Sequence, residues 1–225
     1  MPEPTVILFD VNETLLDLKP VKEAVGEALG GCAELVPLWF TMVLQYSLVT
    51  TVADRYRDFG EIAVACLRMV ARNYGIDLDE TEVKNALAQM RSLPPHPDVV
   101  SALVRLREAN YRLLTLTNSS DAVAGDQLKN AGLDHLFEAV LSVEGVGLYK
   151  PHAHVYRWAA HWAGVDVSEC LLVAAHGWDV AGASWAGMRS AFVSRPGQQQ
   201  FPPAPKPELE VATLHELAGK LAELT

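Results

Sequence analysis

Apolar residues follow two different rhythms along this chain. Between about Pro20 and Met90 they recur at spacings of three and four, as one face of an amphipathic helix requires. That spacing predicts helices over Val21–Leu29, Leu35–Val49, Phe59–Tyr74 and Glu80–Met90, with no strand between them. The run Pro94-Pro95-His96-Pro97 closes this block, because proline removes backbone donors and disfavours helix before it. From Asp98 onward, short apolar runs alternate with helical patterns. Helices are expected over Val99–Ala109, Ala122–Ala131, His154–Ala163 and Val180–Ala186, and strands over Tyr111–Leu116, Ala139–Ser142, Cys170–Ala174 and Ser190–Val193. Pro196 to Pro207 reads as a Pro/Gln-rich loop, and Val211 to Leu224 as a strand remnant followed by a helix.

Strands alternating with helices build a parallel sheet covered by helices on both faces. One more strand, Val6-Ile7-Leu8-Phe9, comes before the helical block and ends directly in Asp10. The fold class expected is therefore α/β, a doubly wound parallel sheet interrupted after its first strand. Residues 1–16 and 95–225 form the core, and residues 17–94 an all-helical cap inserted between them. Such a cap can cover the carboxyl edge of the sheet, exclude water and shape a pocket.

Composition narrows the function classes. The chain has 225 residues, half of them hydrophobic, and a formal net charge of −10. No basic patch stands out, which argues against a nucleic-acid partner. Cys32, Cys66 and Cys170 are far apart and form no CxxC pair, so neither a disulfide framework nor a zinc site is expected. The first strand begins too early to leave room for a signal peptide. No apolar run approaches the roughly 18 residues of a membrane span. These features predict a cytoplasmic protein with reduced thiols and no membrane partner. His154 and His161 share a helical face and His152 lies beside them, but they lack further ligands and read as solvated or packed.

Four segments carry candidate chemistry, each at the carboxyl end of a strand or opening a loop. The first is Asp10-Val11-Asn12-Glu13-Thr14, which places a carboxylate where open α/β sheets bind ligands. The second is Leu116-Thr117-Asn118-Ser119, the third Tyr149-Lys150-Pro151, and the fourth Ala174-Ala175-His176-Gly177-Trp178-Asp179. Each also has a plain structural reading: Thr117 and Asn118 as turn or cap residues, Lys150 as a surface amine, Asp179 as a helix N-cap. All four in this order are hard to obtain by accident.

This order resembles the haloacid dehalogenase superfamily of hydrolases, over essentially the whole chain. The resemblance implies a Rossmann-like core in which Asp10 is a nucleophile forming a covalent intermediate. Thr117 would match the hydroxyl of the second motif, Lys150 the lysine that offsets charge near the nucleophile, and Asp179 the acid of the fourth. Superfamily phosphatases use magnesium, with a second Asp two positions after the nucleophile and paired acids in the fourth motif. Here Asn12 and Ala174-Ala175 stand in those places. Two carboxylates are a poor octahedral site, and an unshielded carboxylate would repel a phosphoryl dianion. The chain is closer to the L-2-haloacid dehalogenase branch, which is metal-free, so no cofactor is expected. Phe59 after Arg55-Tyr56-Arg57-Asp58, Tyr149-Lys150-Pro151, Tyr156 and Trp178-Asp179 add to that similarity.

The implied reaction converts a small 2-haloacid to a 2-hydroxy acid through an aspartyl ester. Asp10, Lys150, Asp179, His176 and Thr14 are the expected catalytic residues. Val11, Asn12, Thr117, Asn118, Tyr156 and Trp178 are expected to contact the substrate, with Lys150 and backbone N–H groups holding its carboxylate. Phe40, Leu44 and Phe59 would form an apolar wall. Two positions depart from the branch. Phe40 follows Trp39 where an arginine usually accepts the halide, which leaves departure to Asn118, Trp39, Trp178 or another cation. His176 replaces an asparagine, either as a general base or as a hydrogen bond holding a loop. A magnesium-dependent phosphatase, a non-catalytic binding module and a hydrolase acting on another electrophilic carbon stay open. The Leu-rich and aromatic cap helices could pair in a homodimer or serve only as core.

Overall fold

A computed structural model describes residues 4–222, so the end of the expected last helix at Leu224 lies outside the described residues. Six parallel strands form one sheet: β1 (Val6–Phe9), β2 (Arg112–Thr117), β3 (Ala139–Ser142), β4 (Cys170–Ala174), β5 (Arg189–Val193) and β6 (Leu209–Val211). Their order is β3-β2-β1-β4-β5-β6. The chain therefore winds outward from β1 in one direction, then returns to wind in the other. Phe9 pairs in register with Thr115 of β2 on one side and Val173 of β4 on the other. Every residue of β1 is fully buried, which explains its unbroken apolar run: a central parallel strand has no solvent face.

Core helices connect these strands: α5 (Val99–Glu108), α6 (Asp121–Asn130), α7 (Ala153–Ala163), α8 (Gly177–Ala186) and α9 (Leu214–Ala222). Helix α5 packs on α9, and α7 on α8. Between β1 and α5 lie α1 (Lys19–Ala28), α2 (Val36–Val52), α3 (Phe59–Asn73) and α4 (Glu80–Leu87). Here α2 packs on α3 and α1 on α4. Entry to and exit from this helical block run side by side, with Asp17 N donating to Pro94 O at 2.8 Å and His96 N to Leu15 O at 2.9 Å. A second tie lies across the site, where Tyr149 N donates to Thr51 Oγ1 at 3.0 Å and Tyr149 Oη donates to Arg57 O. Tyr56 stacks on Tyr149 with ring centroids 5.3 Å apart.

Three boundaries differ from the sequence reading. Helix α8 starts at Gly177 rather than Val180, so Asp179 sits inside its first turn and is not the N-cap. Gly177 makes this start possible, since a Cβ there would lie 2.2 Å from Gln199 O of the crossing tail loop. The expected helix to Met90 tightens into a 3₁₀ turn over Ala88–Arg91. Third, Ala33–Val52 is a continuous helical stretch of 20 residues with mean hydropathy 1.5, long and apolar enough to cross a membrane by length and composition. Thr41, Gln45 and Ser47 interrupt its apolar run, so counting consecutive residues overlooks it. In the fold it buries Val36, Trp39, Val43, Ser47 and Thr51 and leaves Leu38, Leu48, Val49 and Val52 exposed.

Candidate active site

The order of the sheet reverses between β1 and β4, and a crevice opens there at the carboxyl ends. Asp10 is the first residue beyond β1 and is only 4% exposed. Its Oδ1 accepts from Lys150 Nζ at 2.9 Å. Its Oδ2 accepts from Thr14 Oγ1 at 2.8 Å and faces His176 Nδ1 at 3.1 Å. Thr14 Oγ1 in turn accepts from Ala175 N at 2.9 Å, which locks the loop after β1 to the loop after β4. Burial alone raises the Asp10 pKa, but the Lys150 charge and the His176 and Lys150 hydrogen bonds outweigh it. The carboxyl is held well below the usual carboxylate range and is ionised.

Lys150 is completely enclosed. Its three ammonium protons go to Asp10 Oδ1, to Leu116 O at 2.8 Å and to Asp179 Oδ2 at 2.6 Å. Burial disfavours its charge, but the two carboxylates raise its pKa above the ordinary lysine value. Asp179 moves the other way from Asp10. Burial raises it, Lys150 only partly offsets this, and the Asp10 charge pushes it up further. One ammonium serves two acids, and Asp10 has contacts from Thr14 and His176 as well. Tyr156 Oη donates to Asp179 Oδ1 at 2.6 Å. That contact needs Gly182, where a Cβ would lie 2.4 Å from Pro151 Cβ and 2.6 Å from Tyr156 Oη.

These bonds reassign several residues. Lys150 has no proton left for a substrate carboxylate, so it orients and charges Asp10 instead. Thr14 spends its one hydroxyl proton on Asp10 and accepts from Ala175 N. Tyr156 is fully buried against Asp179 and is a positioning residue, not a substrate contact. Thr117 is buried, its Oγ1 accepting from Ser119 N at 3.1 Å. The Asn12 side chain turns away, donating to Ser119 Oγ at 3.2 Å and accepting from Gln127 Nε2 at 3.0 Å. Only its backbone and that of Val11 stay beside Asp10. Asn118 Oδ1 accepts from Lys150 N at 3.1 Å, which leaves its amide NH₂ as the free end. Trp39 is excluded as a halide donor because its Nε1 donates to Ala63 O at 3.0 Å.

An apolar rim faces this cluster. The His176 ring lies between Phe40, at 6.3 Å, and Trp178, at 5.2 Å between centroids. Phe59 lies 5.8 Å from Tyr149. Phe40 and Phe59 line a cavity of about 540 Å³ with Trp39, Val43 and Ala63; Leu44, expected in this wall, does not reach it. The sequence reading missed Glu13 and Gln127. Glu13 is buried at φ 64°, accepts from Lys22 Nζ and Gln198 Nε2, and sits 3.9 Å from His176 Nε2. A non-glycine residue at positive φ stores backbone strain, held here by those contacts. Its place between Asp10 and Thr14 was the available signal.

The donor set does not fit a magnesium ion. Lys150 Nζ fills the space between the two acids, Asn12 points elsewhere, and no three metal-ligating side chains gather among the described residues. Cys66 and Cys170 are free buried thiols, pushed by burial to about 11 and about 12 respectively, and so are unreactive.

Fold and site together define a class: an α/β protein with a carboxylate-centred site under a helical cap. Residues 4–187 match the family model described as haloacid dehalogenase-like hydrolase, and the chain belongs to that family. It is 30% identical over 221 residues to (S)-2-haloacid dehalogenase 1 of Pseudomonas sp. (strain CBS-3), covering 97% of this chain and 96% of that one. It is 31% identical over 209 residues to the (S)-2-haloacid dehalogenase of Pseudomonas sp. (strain YL), covering 92% and 90%. Among solved structures it is similar to the L-2-haloacid dehalogenase from Xanthobacter autotrophicus with chloropropionic acid covalently bound. There the TM-score is 0.90 at 25% identity, covering 99% of this chain and all of that one.

Proposed function

We propose that this chain is a metal-independent 2-haloacid dehalogenase that works through an aspartyl ester. The observation that carries the reading is Asp10: a buried carboxylate kept ionised by lysine, threonine and histidine at the sheet's switch point. An Asp10 oxygen attacks C2 of the substrate, and the C–X bond breaks with its electron pair leaving on the halide. Attack from the face opposite the halide inverts C2. Water then adds to the ester carbonyl at Cγ of Asp10, and the oxyanion formed there is met by donors already in place. His176, whose Nδ1 is 3.1 Å from Asp10 Oδ2 and whose Nε2 has no hydrogen-bond partner, is the base that takes its proton. Collapse releases the 2-hydroxy acid and returns an Asp10 carboxylate with one oxygen from solvent. Single turnover in ¹⁸O-water is expected to label Asp10 before product, and Asp10→Asn to abolish halide release. Full turnover by that variant would end the reading. Addition of EDTA is expected to leave the rate unchanged.

Phe40 favours a second reading, hydrolysis at another electrophilic carbon, because its ring cannot neutralise a departing halide. A panel of 2-chloro, 2-bromo and fluoro acids assayed for free halide separates the two. The free thiols fit a reducing, cytoplasmic setting. The exposed α2 residues Leu38, Leu48, Val49 and Val52 favour a homodimer, which sedimentation measures directly.

A further inference from the structure

The apolar cavity is too large for the small acids discussed so far. It holds about 540 Å³, within the usual range for drug-sized ligands. All four cap helices wall it: Val21 from α1, Val43 from α2, Val64 from α3 and Val83 from α4. Its inner end reaches the catalytic loops. Ser119 lines it and accepts from Asn12, two residues after the nucleophile. Phe40 lines it too and stacks on His176, whose Nδ1 is 3.1 Å from Asp10. Phe40 and Ser119 thus lie between this apolar chamber and the side chains around Asp10. Of the charged side chains lining the chamber, Arg68, Glu80, Lys84 and Arg91 are exposed and Lys22 and Asp58 are half-buried.

We infer that the cavity receives the hydrocarbon tail of the substrate, making 2-substituted medium-chain or aryl-bearing carboxylates the preferred class. This rests on the dehalogenase reading for its chemistry but not for its binding. Burial of each tail methylene is worth about a fourfold gain in kcat/KM.

The test is a series of racemic 2-bromopropionate, 2-bromohexanoate and 2-bromooctanoate, assayed for bromide release. The expected result is kcat/KM rising with chain length, by more than tenfold across the series. Val64→Phe, which fills the chamber, should lower the octanoate-to-propionate ratio at least tenfold, while Val64→Ala keeps it. A flat or falling series with 2-bromopropionate turned over would overturn the inference and leave the function intact. Should no bromide be released, calorimetric binding of propionate, hexanoate and octanoate decides. Affinity rising with length in the native protein but not in Val64→Phe supports the cavity assignment, and length-independent affinity overturns it.

Discussion

Lys150→Gln is the sharpest perturbation this site offers. The ammonium donates at 2.9, 2.8 and 2.6 Å to Asp10, Leu116 and Asp179, and glutamine can replace two of those bonds at most, without the charge. Breaking a buried ion pair by removing one partner costs about 3–5 kcal/mol. A domain is stable by about 5–15 kcal/mol, so the variant should still fold. At about 2–4 °C per kcal/mol for a chain of this size, the melting temperature should drop by about 6–20 °C. Asp10 has a lowered pKa, so its share of the stability is present above 3.8 and lost as pH falls through the depressed value. Lys150 has a raised pKa, so its share is present below 10.5 and lost as pH rises through the raised value. The gap in melting temperature between native and variant should be widest between those limits. The variant loses the Lys150 charge and hydrogen bond, two of the contributions that lower the Asp10 pKa, so that pKa rises. Halide release from 2-chloropropionate, followed from pH 4 to pH 10, should then rise with pH along a limb that the native enzyme lacks. A variant with native kcat and no such limb would refute the role given to Lys150.

Two further substitutions separate positioning from contact. Tyr156→Phe removes the donor to Asp179 Oδ1, a bond to a charged group worth about 1.5–3 kcal/mol. It should lower kcat and melting temperature and leave KM unchanged, because Tyr156 does not reach the substrate; a changed KM with native kcat would contradict this. Asp98 binds Leu214 N at 2.7 Å and Arg195, whose guanidinium also donates to Thr14 O. Burial raises the Asp98 pKa, but the Leu214 N–H and Arg195 lower it overall, so its stabilisation is present above 3.8 and lost as pH falls. Asp98→Asn should therefore melt several degrees lower at pH 7, with the difference narrowing as pH falls below 3.8.

Much of this protein was legible along the chain. The change from helical periodicity to strand-helix alternation, with the break at Pro94-Pro95, is written in residue order because burial on one helix face or on both sheet faces dictates which positions are apolar. Asp10, Lys150 and Asp179 were legible as motifs, Asp10 directly after a strand, Lys150 in a loop and Asp179 at the start of a helix. What each side chain does was not. Lys150, Thr14 and Tyr156 were expected near substrate, yet each spends its hydrogen bonds on Asp10 or Asp179. Glu13 and Gln127 became site residues only through partners 9 to 185 positions away. Periodicity reports which face of an element is buried, but a hydrogen bond between distant residues depends on strand order and loop path. The apolar chamber is likewise the space left between four helices, and it comes into being only when they pack.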